Sequence, residues 1–322
     1  KRGGLVGSEM CITDRYQELH KPFAELTAPG QMFNITEVAV NGHQVKSWAM
    51  APNSLRDIWL STAGHGDADY LVYEDERWTY TEAHAEVARI ANWLVANGVG
   101  QHDRVAIAMR NYPEWMLAYW AIASIGAVSV GINAWWTAAE LQYGLQDSSP
   151  KLYLCDAERL ERFAEIRDQL PEIRAVAIRT ASTPDWATPW SDVLAADPVL
   201  PEVVIDPDDD TCIFYTSGTT GKPKGAQLTH RGCVNHVMSI IFSAMAQGRA
   251  IALAKGDAAS APAAPAAPSA LVTTPMFHVT ANNAVAQGVT MGGGKLVFMY
   301  KWDPGEALKL IESEKITTLS GV

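Results

Sequence analysis

The chain has 322 residues, 48% hydrophobic and 19% charged, which excludes an intrinsically disordered chain and leaves ample core for one large domain or two ordinary ones. Its formal net charge of −11 excludes a general nucleic-acid or anionic-membrane binder, because no surplus of Lys or Arg exists to neutralise phosphates. Phosphate chemistry in this chain must therefore be local.

Cys11, Cys155, Cys212 and Cys233 lie far apart without CxxC spacing, so they read as packing thiols rather than zinc ligands or a disulfide framework. The start, Lys1-Arg2-Gly3-Gly4-Leu5-Val6, carries the charge of a signal peptide but no apolar region behind it. No uninterrupted apolar stretch approaches the roughly 18 residues of a membrane span. These features predict a cytoplasmic protein with no transmembrane segment.

Residues 1–53 read as an N-terminal extension, followed by a helix at 54–62 and a small hairpin up to Tyr80. Thr79 with Glu82 forms a capping box, Val87, Ile90, Ala91 and Leu94 recur at helical spacing, and Gly98 ends the helix. Strands are predicted at 104–109, 127–132, 151–155 and 175–178. Helices fill the gaps: Pro113 opens one, Thr137 with Glu140 caps another, and a third covers 157–170. The strands start about 24 residues apart, the spacing of βαβ units, which implies a parallel doubly wound sheet. A strand at 211–215, a helix near 231–245, strands at 272–274, 295–299 and 316–319, and helices at 282–290 and 304–314 make a second α/β run. The predicted fold is thus α/β with two doubly wound subdomains packed through helices. The first sheet comes mainly from 81–225, the second from 226–322 plus 54–80. Residues 254–270 form an Ala/Pro-rich insertion that lacks large apolar side chains and reads as a surface loop.

The most informative stretch is Tyr215-Thr216-Ser217-Gly218-Thr219-Thr220-Gly221-Lys222-Pro223-Lys224-Gly225. Its glycines let the backbone approach a ligand, Ser217, Thr219 and Thr220 supply hydroxyls, and lysine supplies a point charge. Together they make a polyphosphate cradle. Only two residues separate Gly218 from Gly221, so it is not a Walker A loop, nor is it GxGxxG. The bland alternative is a Gly/Thr-rich hairpin turn.

This stretch, continued as Ala226-Gln227-Leu228-Thr229-His230-Arg231-Gly232, resembles the phosphate-loop signature of the adenylate-forming (AMP-binding) superfamily, which contains acyl-CoA synthetases, luciferases and adenylation domains. Residues 78–156 resemble the first sheet of its acyl-CoA ligases, and Thr274-Pro275-Met276-Phe277-His278-Val279-Thr280 resembles the segment lining the acyl pocket. The resemblance runs from about Ser54 to the C-terminus and implies roles position by position. Thr216, Ser217, Gly218, Thr219, Thr220 and Gly221 would wrap the ATP phosphates. Lys224 matches the regular lysine of the loop, whereas Lys222 occupies a variable position. Mg²⁺ would enter with the phosphates, Thr216 being a possible ligand, with no other metal site. His278 would stand where carboxylate and pocket meet, a core histidine being the alternative. Phe277, Asn282 and Asn283 would line the acyl site, although helix capping explains the two asparagines equally well. Ala281 stands where many relatives have Gly.

The resemblance implies an ATP-dependent acid–thiol ligase that activates a carboxylic acid as its acyl-adenylate and transfers it to coenzyme A. A fatty acid is expected, because residues 282–290 are small and no charged side chain lies in 272–291. An aryl-CoA ligase and a non-catalytic nucleotide- or acyl-binding module are the alternatives. The family's later Tyr-Gly-x-Thr-Glu motif, ribose-binding Asp and catalytic-lysine domain have no counterpart, so the sequence reads as the N-terminal portion of a longer enzyme, inactive alone. Its oligomeric state is not legible.

Overall fold

A computed structural model describes residues 20–216, 221–256 and 267–319. The leader with Cys11, most of the Ala/Pro-rich stretch and the last three residues lie outside the described residues. The chain divides into two compact units, one of residues 1–51 with 238–266 and the other of 52–237 with 267–322.

The first unit is built on a hairpin of β1 (Ile35–Val40) and β2 (His43–Trp48), paired from Ile35↔Trp48 to Val40↔His43. Asn41 and Gly42 turn it with φ of 49° and 80°. An Asn-Gly pair is the sequence that a two-residue turn with positive φ at both positions requires. The extension read at 1–53 thus contains a sheet of its own. Phe33, Trp48 and Phe242 pack with ring centroids 5.2 to 5.6 Å apart and form its aromatic centre.

The second unit contains two sheets. The first has seven strands in the order β11-β10-β6-β5-β7-β8-β9. They are β5 (Arg104–Ala108), β6 (Val128–Gly131), β7 (Leu152–Asp156), β8 (Arg174–Ile178), β9 (Ala187–Pro189), β10 (Asp210–Thr216) and β11 (Lys224–Thr229). All pairings are parallel except β10 with β11. The second sheet runs β14-β12-β13-β3-β4, from β3 (Asp69–Tyr73), β4 (Glu76–Thr79), β12 (Ser269–Val272), β13 (Lys295–Phe298) and β14 (Thr318–Leu319). Only β3 with β4 is antiparallel. The mixed α/β class with parallel sheets is as the strand spacing predicts.

Both capping boxes form, Thr79 with Glu82 and Thr137 with Glu140. The helix Pro113–Ser124 is buried at all 12 positions. Its sequence is apolar nearly all round, the signature of a helix with no solvent face. Trp120 donates from Nε1 to the Tyr70 hydroxyl at 2.8 Å and stacks on Trp59 at 5.4 Å, which ties this helix to the second sheet.

Several elements depart from expectation. The strand read at 272–274 lies at Ser269–Val272, so the stretch read as a surface loop to 270 ends in a buried strand, and β9 and β11 are additional to those expected. The helix of 157–170 stops at Ala164, and a short 3₁₀ turn, Arg167–Gln169, follows. The helix expected near 231–245 spans His230–Ala254 and is long and apolar enough, by length and composition alone, to cross a membrane. That corrects the reading that no segment qualifies; scattered Asn, Ser, Gln and Gly interrupt the apolar text without lowering its mean hydropathy enough. The helix of 282–290 begins instead at Thr280, with wide π-type turns as far as Gln287, before a short α-helix, Gly288–Met291.

Candidate functional site

In the seven-stranded sheet the chain steps from β5 to β6 on one side and returns to β7 on the other, so strand order reverses beside β5. Open α/β sheets bind ligands in the crevice that this reversal leaves at the carboxyl ends. Arg110 and Asn111 follow β5 there. The Arg110 amide donates to Oδ2 of Asp156, which ends β7, at 3.0 Å. Asn111 grips the segment that runs on from β12: Nδ2 donates to the Thr274 carbonyl at 3.0 Å, and Oδ1 accepts from the Met276 amide at 3.0 Å.

This grip lays residues 274–278 across the ends of β5 and β6. Phe277 is buried and stands edge-on to Trp135 at 5.1 Å. Gly131, the last residue of β6, lies beneath: a Cβ there would stand 2.9 Å from the Phe214 ring and 3.5 Å from the Phe277 carbonyl oxygen. The Phe214 ring on β10 and the Phe277 backbone thus both close on Gly131. His278 is exposed, 4.9 Å from the Phe277 ring, which rules out the core-histidine alternative. Partial burial lowers its pKa, favouring the neutral imidazole.

Thr216 ends β10 and is exposed; its pairing with Lys224 makes residues 217–223 the connection of a hairpin. β10 and β11 are thus antiparallel neighbours on either side of this loop. Ser217, Gly218, Thr219 and Thr220 lie outside the described residues. The far side of the loop is anchored. Tyr143 donates from its hydroxyl to the Pro223 carbonyl at 3.0 Å, and the Lys222 ammonium sits 4.6 Å over the Tyr143 ring. Gly221 has φ of 151°, outside the range that side-chain-bearing residues favour. Lys224 opens β11 and is exposed.

Asn282 and Asn283 do not cap the wide helix. Both are buried, as is Gln287. Trp115 donates from Nε1 to Asn282 Oδ1 at 3.0 Å, and Asn282 Nδ2 donates to Asn283 Oδ1 at 3.0 Å. Asn283 Nδ2 donates in turn to Cys233 Sγ at 3.3 Å. Gln287 Nε2 donates to the Tyr119 hydroxyl at 2.7 Å, while its Oε1 is buried without a partner among the described residues. The small-residue text of 282–290 conceals three inward-facing carboxamides. Cys155, Cys212 and Cys233 are free and buried, as packing thiols should be, and no cluster among the described residues offers three metal-binding side chains.

A cavity of about 250 Å³ opens between the carboxyl ends of the two sheets, lined by Arg110, Trp135, Phe277, Tyr300, Lys301 and Trp302 among others. The Arg110 guanidinium lies 5.7 Å from the Trp135 ring and 5.1 Å from the Tyr300 ring, and its Nε is buried without a partner among the described residues. Sequence reading singled out none of these cavity residues except Phe277. The signal that existed was Arg110-Asn111 directly after a strand and the paired Trp135-Trp136 after the next. A second cavity of about 290 Å³, with His102, Asp208, Asp209 and Asp210, lies at the amino ends of β5 and β10, away from this site.

Mostly parallel sheets with helices between their strands define the class: a mixed α/β domain with a cation- and aromatic-lined cavity at its strand ends. The chain belongs to the AMP-binding enzyme family, which it matches over residues 58–322. It is 31% identical over 244 residues to feruloyl-CoA synthase from Amycolatopsis sp, covering 76% of this chain and 43% of that protein. It is 29% identical over 246 residues to 4-coumarate–CoA ligase 1 from Solanum tuberosum, covering 76% and 42%. Its fold is similar to the N-terminal domain of FACL13 from Mycobacterium tuberculosis, with a TM-score of 0.65 and 27% identity over 83% of this chain and 62% of that one. The chain spans less than half the length of the curated relatives it matches.

Proposed function

We propose that this chain is the ATP-gripping part of an acid–CoA ligase. A carboxylate oxygen attacks the α-phosphorus of ATP, the bond to the bridging oxygen breaks, and pyrophosphate leaves. The thiolate of coenzyme A then attacks the acyl carbonyl and AMP leaves. Such a transfer is catalysed mainly by positioning and charge neutralisation. Thr216 and the 217–221 loop would hold the phosphates, and Lys224 would neutralise the leaving pyrophosphate. Mg²⁺ would enter on the phosphates, where the exposed Thr216 hydroxyl, 3.4 Å from the Lys224 carbonyl, would join its shell. Neutral His278 would orient the carboxylate. The carrying observation is the placement of the loop's strand: the Phe214 ring, two residues before Thr216, and the Phe277 backbone both close on Gly131.

The cavity beside Arg110 supports a site for the nucleotide of coenzyme A: Trp135 and Trp302 offer stacking faces, and Arg110 and Lys301 offer charge for phosphate. For the acid, the apolar residues of 272–291 support an aliphatic chain. A second reading, an aryl acid bearing a hydroxyl or amino donor, is favoured by one observation, the buried and unpartnered Oε1 of Gln287. The names of the feruloyl- and 4-coumarate-activating relatives point the same way.

The test is acid-dependent ATP–pyrophosphate exchange by the enzyme carrying Lys224→Ala. Exchange should fall by at least tenfold, and an unchanged rate would refute the role of the loop. Catalytic efficiency rising through a series of fatty acids supports the aliphatic reading; preference for 4-hydroxycinnamate over cinnamate and over every fatty acid supports the aryl one.

A further inference from the structure

Arg179 follows β8 with φ of 51°, a left-handed conformation that costs a residue other than glycine of order 1 kcal/mol and persists only where surroundings enforce it. The enforcement is visible. Its Nε bonds to the Glu114 carboxylate at 2.9 Å, and its Nη1 donates to Glu76 at 3.1 Å. Its guanidinium carbon is 4.9 Å from the ring centres of both Tyr73 and Tyr112. Nε serves Glu114 and the two terminal nitrogens serve Glu76, so the planar fork bridges both carboxylates while its carbon stays close to both rings.

The stack continues beyond Arg179. Tyr112 stands edge-on to Tyr73 at 5.3 Å and 5.8 Å from Tyr300. Tyr300 in turn lies under Arg110, which reaches Trp135. Six side chains therefore form one ladder, Tyr73, Arg179, Tyr112, Tyr300, Arg110 and Trp135, in which each cation lies between two aromatic rings in the series. One end is pinned by ion pairs and the other forms the cavity wall. Tyr112 immediately precedes the helix that carries Glu114, so both arms of the Arg179 clamp act on the start of one buried helix.

We propose that Arg179 is a positioning residue for the cavity: by fixing Tyr112 it fixes Tyr300, and so holds the Arg110 guanidinium against the Tyr300 and Trp135 rings at the cavity wall. The part concerning the ligand rests on assigning the cavity to the coenzyme A nucleotide; the part concerning geometry does not.

The test uses the chain labelled with ¹⁵N, in which the Arg110 Nε–H resonance is identified by its loss in Arg110→Lys. Ring currents from Trp135 and Tyr300 should displace this resonance from the ordinary arginine position. Arg179→Lys, which keeps the charge opposite Glu114 and Glu76, and Tyr112→Leu, which spares both ion pairs, should each return it most of the way. In parallel, titration with adenosine 3′,5′-bisphosphate should show three- to tenfold weaker binding in both variants, the range expected when one or two cation–aromatic contacts are lost. A merely structural strut predicts otherwise: Arg179→Lys, once folded, would leave both resonance and affinity at wild-type values. That result, or an unmoved resonance in Tyr112→Leu, overturns the proposal. If the resonance moves in both variants but Arg110→Lys binds the bisphosphate as tightly as wild type, the positioning geometry stands and the nucleotide assignment falls.

Discussion

The Met276 amide is seated 3.0 Å from Asn111 Oδ1, across 165 residues of sequence, and the other end of the same carboxamide holds the Thr274 carbonyl. One side chain therefore satisfies two backbone groups of the segment that carries Phe277 and His278. Asn111→Ala should cost about 1–3 kcal/mol in urea unfolding, the penalty for leaving such groups unpaired, and should lower ATP–pyrophosphate exchange because residues 274–278 lose their register. Asn111→Asp keeps the acceptor for Met276 and should recover part of the stability. Equal stability of the alanine variant would show that the grip is dispensable.

Gly131 permits the close approach of the Phe214 ring and the Phe277 backbone. Gly131→Ala places a methyl group 2.9 Å from the Phe214 ring, so the ring must yield. A loss of about 1–3 kcal/mol is expected from overpacking, with lowered exchange activity. A melting temperature within a degree of wild type would contradict the close approach.

His230 is fully buried, its Nδ1 accepting from the Leu55 amide at 3.2 Å. Burial lowers its pKa to about 4, against a smaller opposing pull from Asp57. His84, against Trp59, is likewise lowered to about 4 by burial and by His65. Both rings are neutral in the fold while the unfolded chain takes up protons below about pH 6.5. Their contribution is complete above pH 6.5 and drains away as pH falls towards 4. His230→Asn, which keeps an acceptor for Leu55, should flatten this decline by up to about 3 kcal/mol. Unfolding midpoints at pH 7 and pH 4.5 decide it: an identical slope in the variant would exclude His230 as a source.

Trp115→Phe removes the donor to Asn282 and leaves a buried carbonyl orphaned, at a cost of about 1–3 kcal/mol. Gln287→Leu should be milder in stability, because it also removes an acceptor that already lacks a partner, although Tyr119 loses its donor. If the acid carries a distal hydroxyl, Gln287→Leu should erase the preference for 4-hydroxycinnamate over cinnamate. A preference retained in full would leave that carboxamide without a part in selection.

What the sequence by itself determined are the features written within a few residues of one another. The capping boxes at Thr79 and Thr137, the Asn41-Gly42 turn, the strand–helix spacing from β5 to β8 and the loop at Thr216–Lys224 all follow from local backbone preference and hydrogen bonding. Of these, Asn41-Gly42 was legible but passed over, because a two-stranded sheet lacks the long periodic run that makes a helix conspicuous. The tertiary structure decided what becomes adjacent. It set β10 beside β6 and joined Arg110 to Trp135 and Tyr300. It also turned Asn282, Asn283 and Gln287 inward, where the sequence left the two asparagines open between acyl site and helix cap. Long-range pairings of this kind are chosen by burial. The wholly apolar helix Pro113–Ser124 must be covered on every side, and covering it brings the two sheets' strand ends to the same crevice.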